Sequence, residues 1–263
     1  MRVGISQLVM SDLSMEEFLS QSAGAGYEAV ELSLRNKGPL TPETTDDELV
    51  KIAGRAAELG LSMPSMTLSH CTGNLLDSGE RQRASIEQTV QGLEIARKLG
   101  IQCTLHTLGG LNADLYYDDG YRNGIAALKE IAVTCEKLDV RLAVEFVWSG
   151  FLFSPMEMRR FLDEVGSSHV GFYFDPGNMA VFQYPQHWVR IVGGKIFMVH
   201  LKDWKGNALS GGWTPLLEGE VDFAAINREL RTIRYDGPMI SEVDCSDAPI
   251  ENTAQAIRKI IAM

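Results

Sequence analysis

The chain has 263 residues, 45% apolar and 22% charged, with a formal net charge of −11 and a pI near 5.0. That composition suits a folded protein with a large core, and it excludes a disordered chain. The acidic balance opposes nucleic acid and anionic membrane as partners, because both need a basic footprint. No apolar run approaches the ~18 residues of a membrane helix, and the N-terminus MRVGISQLVMSD lacks the apolar stretch of a leader. The four cysteines, Cys71, Cys103, Cys135 and Cys245, fall in no CxxC spacing. A cytoplasmic protein with buried, free thiols is therefore expected.

RVGISQ (2–7) reads as a short first strand. Ser14 and Glu17 match a capping box for a helix over 15–23, and YEAVELSL (27–34) is the second strand. Thr45 and Glu48 repeat the capping box for a helix that runs to Glu58, before LSMPSMTLS (61–69). A helix over 80–99 precedes IQCTLHTL (101–108), and one over 121–138 precedes RLAVEFV (141–147). Ser154, Pro155 and Glu157 set an N-cap, an N1 proline and an N3 glutamate in register. That helix ends near Gly166, before VGFYFD (170–175). Pro185 opens the next, which closes at Gly193 and Gly194 before KIFMVHL (195–201). Asp222 caps 223–233, Tyr235-Asp236-Gly237 turns into PMISEV (238–243), and a last helix covers 248–261.

The joints AGAGYEAVEL, AELGLSMPSM, ARKLGIQCTL, CEKLDVRLAV and TIRYDGPMIS share one form: a helix end, a Gly or Asp stop, an apolar strand. Strand–helix alternation of this kind, without a break in composition, argues for a parallel sheet. Eight units in this length fit an α/β fold, the closed (β/α)8 TIM barrel, with a doubly wound open sheet as the alternative. No linker appears, so residues 1–263 form a single domain.

In such a barrel, functional groups sit at the C-terminal ends of the strands. Glu145, Asp175, His200 and Glu242 stand at the ends of four successive strands. A buried carboxylate such as Asp175 needs a partner, and three carboxylates with one imidazole suit a single divalent metal. Mn²⁺, Mg²⁺, Co²⁺ and Zn²⁺ all qualify, and the oxygen-rich set favours Mn²⁺ or Mg²⁺. Each residue alone has an ordinary explanation: a strand Glu paired with a base, an Asp forming a turn, a His satisfied in the core. Their occurrence as a set outweighs those explanations. Lys202 is a candidate to meet an anionic substrate group, while Asp203 after it reads as the start of a solvated loop. His106 ends strand four and His70 follows strand three, both at the mouth; Trp148 is placed to wall a sugar. His169, His187 and the Glu218–Glu220 loop are set aside.

These residues lie in VEFVWSGFLFSPMEM (144–158), YFDPGNMAVFQYP (173–185), IFMVHLKDWKG (196–206), LLEGEVDF (216–223) and YDGPMISEVD (235–244). Through them the chain resembles the sugar phosphate isomerase/epimerase family, the xylose-isomerase-like TIM barrels, over nearly its whole length. The second and third segments are most similar to its ketose 3-epimerase and hexulose-phosphate isomerase branch. The resemblance implies that Glu145, Asp175, His200 and Glu242 bind one metal, which chelates the carbonyl and neighbouring hydroxyl of an open-chain ketose or ketose phosphate. It also implies that Glu145 and Glu242 act as acid and base through a cis-enediolate. Return of the proton to the other face gives epimerisation; return to the adjacent carbon gives aldose–ketose isomerisation. Homodimers and homotetramers are common in the family, and FLFSPM (151–156) is a candidate interface loop.

The chain departs from the family at Asn178, where the sugar epimerases and endonuclease IV often carry histidine. Asn178 can bond a substrate hydroxyl but removes a second-metal ligand. LSHCTG at the end of strand three lacks the Arg expected of members that use phosphorylated sugars. A DNA-repair nuclease, which needs about three metals and many histidines, is excluded by five histidines and a charge of −11. A dehydratase of inosose or dehydroshikimate type keeps the same ligands and stands as the alternative. A non-catalytic sugar-binding barrel is the lesser one.

Overall fold

In the computed structural model, which describes residues 1–263, eight parallel strands close on themselves. They are β1 (Arg2–Ser6), β2 (Ala29–Leu34), β3 (Ser62–Leu68), β4 (Cys103–His106), β5 (Arg141–Glu145), β6 (Val170–Phe174), β7 (Ile196–Leu201) and β10 (Pro238–Ser241). Closure is made by β1 against β10, with Val3 opposite Met239 and Ile5 opposite Ser241, and this excludes the open sheet. Between β7 and β10 the chain adds an antiparallel hairpin absent from the sequence reading, β8 (Asp203–Lys205) and β9 (Gly212–Thr214).

The helices arise where the local signals put them. Both capping boxes form, with Ser14 and Thr45 accepting from the N–H groups of Glu17 and Glu48 while those side chains reach back. They open α1 (Met15–Gly24) and α2 (Asp46–Glu58). Between α3 (Gly79–Lys98) and α5 (Pro155–Val165) lies α4 (Tyr117–Leu138), which starts four residues earlier than its apolar periodicity indicates and has no side-chain cap. Ser154 caps α5 and Asp222 caps α8 (Phe223–Thr232). The short α6 (Pro176–Ala180) follows β6 directly, with α7 (Pro185–Val192) after it, and α9 (Ile250–Ala262) completes the ring. None of the helices is long and apolar enough to cross a membrane.

Two cores result. Sixty buried side chains fill the layer between strands and helices, Trp188 on Phe172 among them. A smaller group inside the barrel, Cys103, Leu105, Ala143, Tyr173, Met198 and Ile240, plugs its lower half. Cys103 and Cys135 are buried and all four cysteines are free. In FLFSPM, Phe151 and Leu152 belong to the core of the single chain, so only Phe153 and Met156 of its large apolar side chains are exposed.

The repeated joints work by one device, a residue in left-handed conformation between helix and strand. Gly26, Gly60 and Gly100 supply it in three of them and Asp139 in a fourth, and Gly166 does the same before β6. In TIRYDG the left-handed residue is Arg234, not the expected Gly237. At Gly60 φ is +71° and a Cβ would meet nothing within 4 Å, so only backbone strain opposes a side chain. Gly60→Ala is expected to destabilise the fold by about 1–2 kcal/mol, the left-handed penalty for an L-residue. The denaturant midpoint should drop with an unchanged m-value.

Candidate active site at the C-terminal mouth of the barrel

Side chains alternate between lumen and helix layer along each strand. Because Tyr173 and Met198 face the lumen, so do Asp175 and His200, two residues on. Glu145 pairs in register with Tyr173 and His200 with Ile240. The lumen is thus apolar below and polar above. At the C-terminal ends of β5, β6, β7 and β10, consecutive around the barrel, Glu145, Asp175, His200 and Glu242 bring one ligand atom each to within 4.8 Å of one another.

Each member has a distinct seat. Asp175 is fully buried and caps α6: its Oδ1 accepts from the N–H groups of Gly177 (2.9 Å) and Asn178 (3.4 Å). Its Oδ2 is left facing the cluster. Glu145 accepts at Oε1 from Asn178 Nδ2 at 3.4 Å, and the same amide is anchored on the carbonyl of Phe146. His200 presents Nδ1 to Glu145 at 3.3 Å and to Glu242 at 3.5 Å. Lys202 Nζ lies 3.0 Å from Asp175 Oδ2 and 2.5 Å from Glu242 Oε2. Both contacts are largely buried ion pairs at hydrogen-bond distance.

Charge in this setting is strongly perturbed. Burial, with the Glu242 carboxylate beside it, pushes Glu145 up to about 7 against the pull of His200 and Lys202. Burial alone would lower Lys202, but Asp175, Glu242 and Glu145 outweigh it and hold the ammonium well above its ordinary value. Three carboxylates around one ammonium leave negative charge for a further cation. Asp175 Oδ2 and Glu242 Oε2 face the cluster, and each has a lone pair beyond the one directed at the ammonium. With Glu145 and His200 Nδ1 they make an oxygen-rich donor set of the kind that holds one divalent ion.

Comparison with known proteins agrees with this fold. The family described as the xylose isomerase-like TIM barrel matches residues 19–263. The chain belongs to that family. A relative from Escherichia coli, provisionally named L-ribulose-5-phosphate 3-epimerase, is 28% identical over 99% of this chain and 96% of its own. The D-psicose 3-epimerase of Enterocloster bolteae is 24% identical over 86% of this chain and 76% of its own. Among solved structures, the IOLI protein with a zinc atom superposes with a TM-score of 0.83 at 15% identity, covering 100% of this chain and 98% of that one. This xylose isomerase-like barrel is an enzyme of the isomerase class.

The remaining expected residues separate by position. Trp148 donates from its indole to the carbonyl of Asn178 at 3.0 Å, tying the Glu145 support to the rim. Its ring stacks on Trp213 of β9, centroids 5.3 Å apart and planes 7° from parallel. Trp213 also lies under Lys202 Nζ, and with Glu242 and Thr214 it lines a cavity of about 270 Å³ beside the cluster. Asp203 is buried, contrary to the solvated loop expected of it. It accepts from the N–H groups of Trp204, Leu217, Gly219 and Val221, pinning the loop after the hairpin.

His106 and His70 do not join the cluster. Cys103 and Leu105 face the lumen, so His106 faces the helices, where its Nδ1 accepts from the N–H of Leu108 at 2.8 Å. His70 donates from Nε2 to the carbonyl of Gln88 in α3. Glu31, which the sequence reading passed over, is fully buried in the lumen and bonded to His200 Nε2 at 2.7 Å. Burial alone would raise its carboxyl, but the His200 imidazole outweighs that and holds it low.

Burial, assisted by His70, lowers His106 from 6.5 to about 4. The neutral imidazole therefore stabilises the fold above pH 6.5, and this contribution is lost as the pH falls through 4. Relative to His106→Gln, which keeps an acceptor for Leu108, the wild type should lose about 3 kcal/mol between pH 7 and pH 4, at roughly 1.4 kcal/mol per unit. Urea denaturation of both proteins at the two pH values measures this difference. A pH-independent difference would mean that His106 is solvated.

Proposed function

We propose that this barrel is a divalent-metal-dependent epimerase acting at C3 of an open-chain ketose or ketose phosphate. The observation that carries the reading is the arc of four ligands on consecutive strands with a carboxylate at each end. Glu145, Asp175, His200 through Nδ1, and Glu242 would hold the ion, Mn²⁺ in the first place; the zinc atom bound by the IOLI protein supports a divalent cation on a barrel of this fold. When bound, the ion supplies a Lewis acid that polarises the carbonyl and acidifies the neighbouring C–H. The names of the relatives, L-ribulose-5-phosphate 3-epimerase and D-psicose 3-epimerase, favour C3 over an aldose–ketose shift.

The side chains divide the work. Glu145 and Glu242 stand at the two ends of the arc, so the substrate carbon lies between two carboxyl groups. One removes the C3 proton, leaving an enediolate, and the other delivers a proton to the opposite face. Lys202 provides a fixed positive charge next to Glu242 and Asp175 that favours the developing oxyanion. Asn178 orients Glu145, and the stacked Trp148 and Trp213 form an apolar wall for the C–H face of the sugar.

Incubation of a ketose panel in D₂O with NMR detection tests the reaction. Deuterium at C3 together with the C3 epimer supports the proposal, whereas deuterium at C1 or C2 means aldose–ketose isomerisation and loss of water means a dehydratase. Glu242→Gln should keep the fold and lower kcat by at least about 10²-fold, the usual contribution of a positioned acid or base. Unchanged turnover in that variant would remove Glu242 from the chemistry. Chelation should abolish activity and Mn²⁺ or Co²⁺ restore it; turnover that persists with no metal by elemental analysis would overturn the metal dependence.

A further inference from the structure

Glu31 has no basic side chain against it other than an imidazole, yet it is wholly buried. Four donors converge on its two oxygens. Oε1 accepts from Ser6 Oγ at 2.8 Å and from His200 Nε2 at 2.7 Å. Oε2 accepts from Ser65 Oγ at 2.8 Å and from Tyr173 OH at 2.5 Å. The hydroxyls come from β1, β3 and β6, three separate strands. Three hydroxyl donors on one carboxylate favour its ionised, accepting form, and they leave one lone-pair site for the imidazole.

That fixation determines which nitrogen of His200 carries hydrogen. An ionised carboxylate only accepts, so the 2.7 Å contact requires a proton on Nε2. Nδ1 is then the atom left for the cluster, and it is the one lying 3.3 Å from Glu145 and 3.5 Å from Glu242. A buried imidazole held between a carboxylate on one side and a cation site on the other has its ring plane and its basicity set by the carboxylate.

We propose that Glu31, seated by Ser6, Ser65 and Tyr173, is a positioning residue that locks His200 as the Nε2–H tautomer and aims Nδ1 at the divalent ion. This rests on the metal reading above and extends it to a residue outside the ligand set. Glu31 touches neither the ion nor the sugar; it acts through His200.

The test is a calorimetric titration of the metal-free wild type, Glu31→Gln and Tyr173→Phe with Mn²⁺, alongside urea denaturation of each. Glu31→Gln should weaken Mn²⁺ by about 10–100-fold, the loss seen for partners behind metal ligands. Tyr173→Phe keeps the Glu31–His200 bond, so it should lose stability while its Mn²⁺ affinity stays within about 3-fold of wild type, well short of that range. A purely structural role for Glu31 predicts instead that affinity follows stability in both variants, and that pattern would overturn the proposal. In the Zn²⁺-loaded wild type, ¹⁵N NMR of His200 should report a protonated Nε2 and a metal-bound Nδ1; the reverse assignment also overturns it. A wild type that binds no divalent ion refutes the metal reading itself. Normal binding by both the wild type and Glu31→Gln refutes only the role of Glu31.

Discussion

Four carboxylates, Glu31, Glu145, Asp175 and Glu242, are drawn into the upper lumen of one barrel, and much of the local structure is compensation for them. An ion taken out of water costs several kcal/mol even after relaxation. Each of the four is met by a different kind of counter-group: hydroxyls and an imidazole for Glu31, an amide for Glu145, helix N–H groups for Asp175, an ammonium for Glu242. The elements that deliver those groups come from all around the ring. A barrel is suited to this because its parallel strands point every C-terminal end at one mouth.

The division of Asp175 between its two oxygens shows how closely fold and site are joined. Oδ1 is used up in starting α6, where the Pro176 ring sets the first helical φ and Gly177 lets the chain pass close to Lys202. A Cβ on Gly177 would fall 2.4 Å from the Cβ of Lys202 and 3.0 Å from the Trp213 ring. The same tight turn therefore aims Oδ2 inward, admits the lysine and seats the hairpin tryptophan. Asp-Pro-Gly-Asn is a turn signal when read locally; at the end of β6 it becomes an inward-facing oxygen donor, a cap and a clearance in four residues.

What was legible in the chain was whatever depends on position along a strand. Glu145, Asp175, His200 and Glu242 stood out because each closes an apolar run, and the barrel turns that shared position into proximity. Glu31 sits in the middle of AVELSL, where a lone strand glutamate reads as a paired or exposed residue. The signal that marks it is alternation, with Glu31 and Ser33 on one face of β2 and Ser65 and Thr67 on the matching face of β3. Such alternating polar residues in otherwise apolar parallel strands mean a polar lumen. Trp213 and Asp203 were hidden for another reason: the β8–β9 hairpin and the loop pinned by Asp203 are defined by long-range hydrogen bonds, which no local pattern records. His106 and His70 reversed the error, being on strand ends but on the helix-facing side, a distinction that needs the phase of the alternation as well as its end.

Tyr173 links the two halves of the lumen. Its ring belongs to the apolar plug with Leu105, Met198 and Ile240, packs at 4.3 Å against the imidazole of His200, and ends in a hydroxyl that bonds Glu31. The plug beneath is apolar and buried, which strengthens the electrostatic contacts above it. A site of mutually repelling carboxylates on flexible supports would relax apart when unpaired. Here the side chains that orient it are anchored in strands whose register is fixed on both sides by the closed sheet, so the repulsion is retained. Retained repulsion favours a divalent cation, because the ion removes an energetic conflict that the fold does not let the protein relieve by itself.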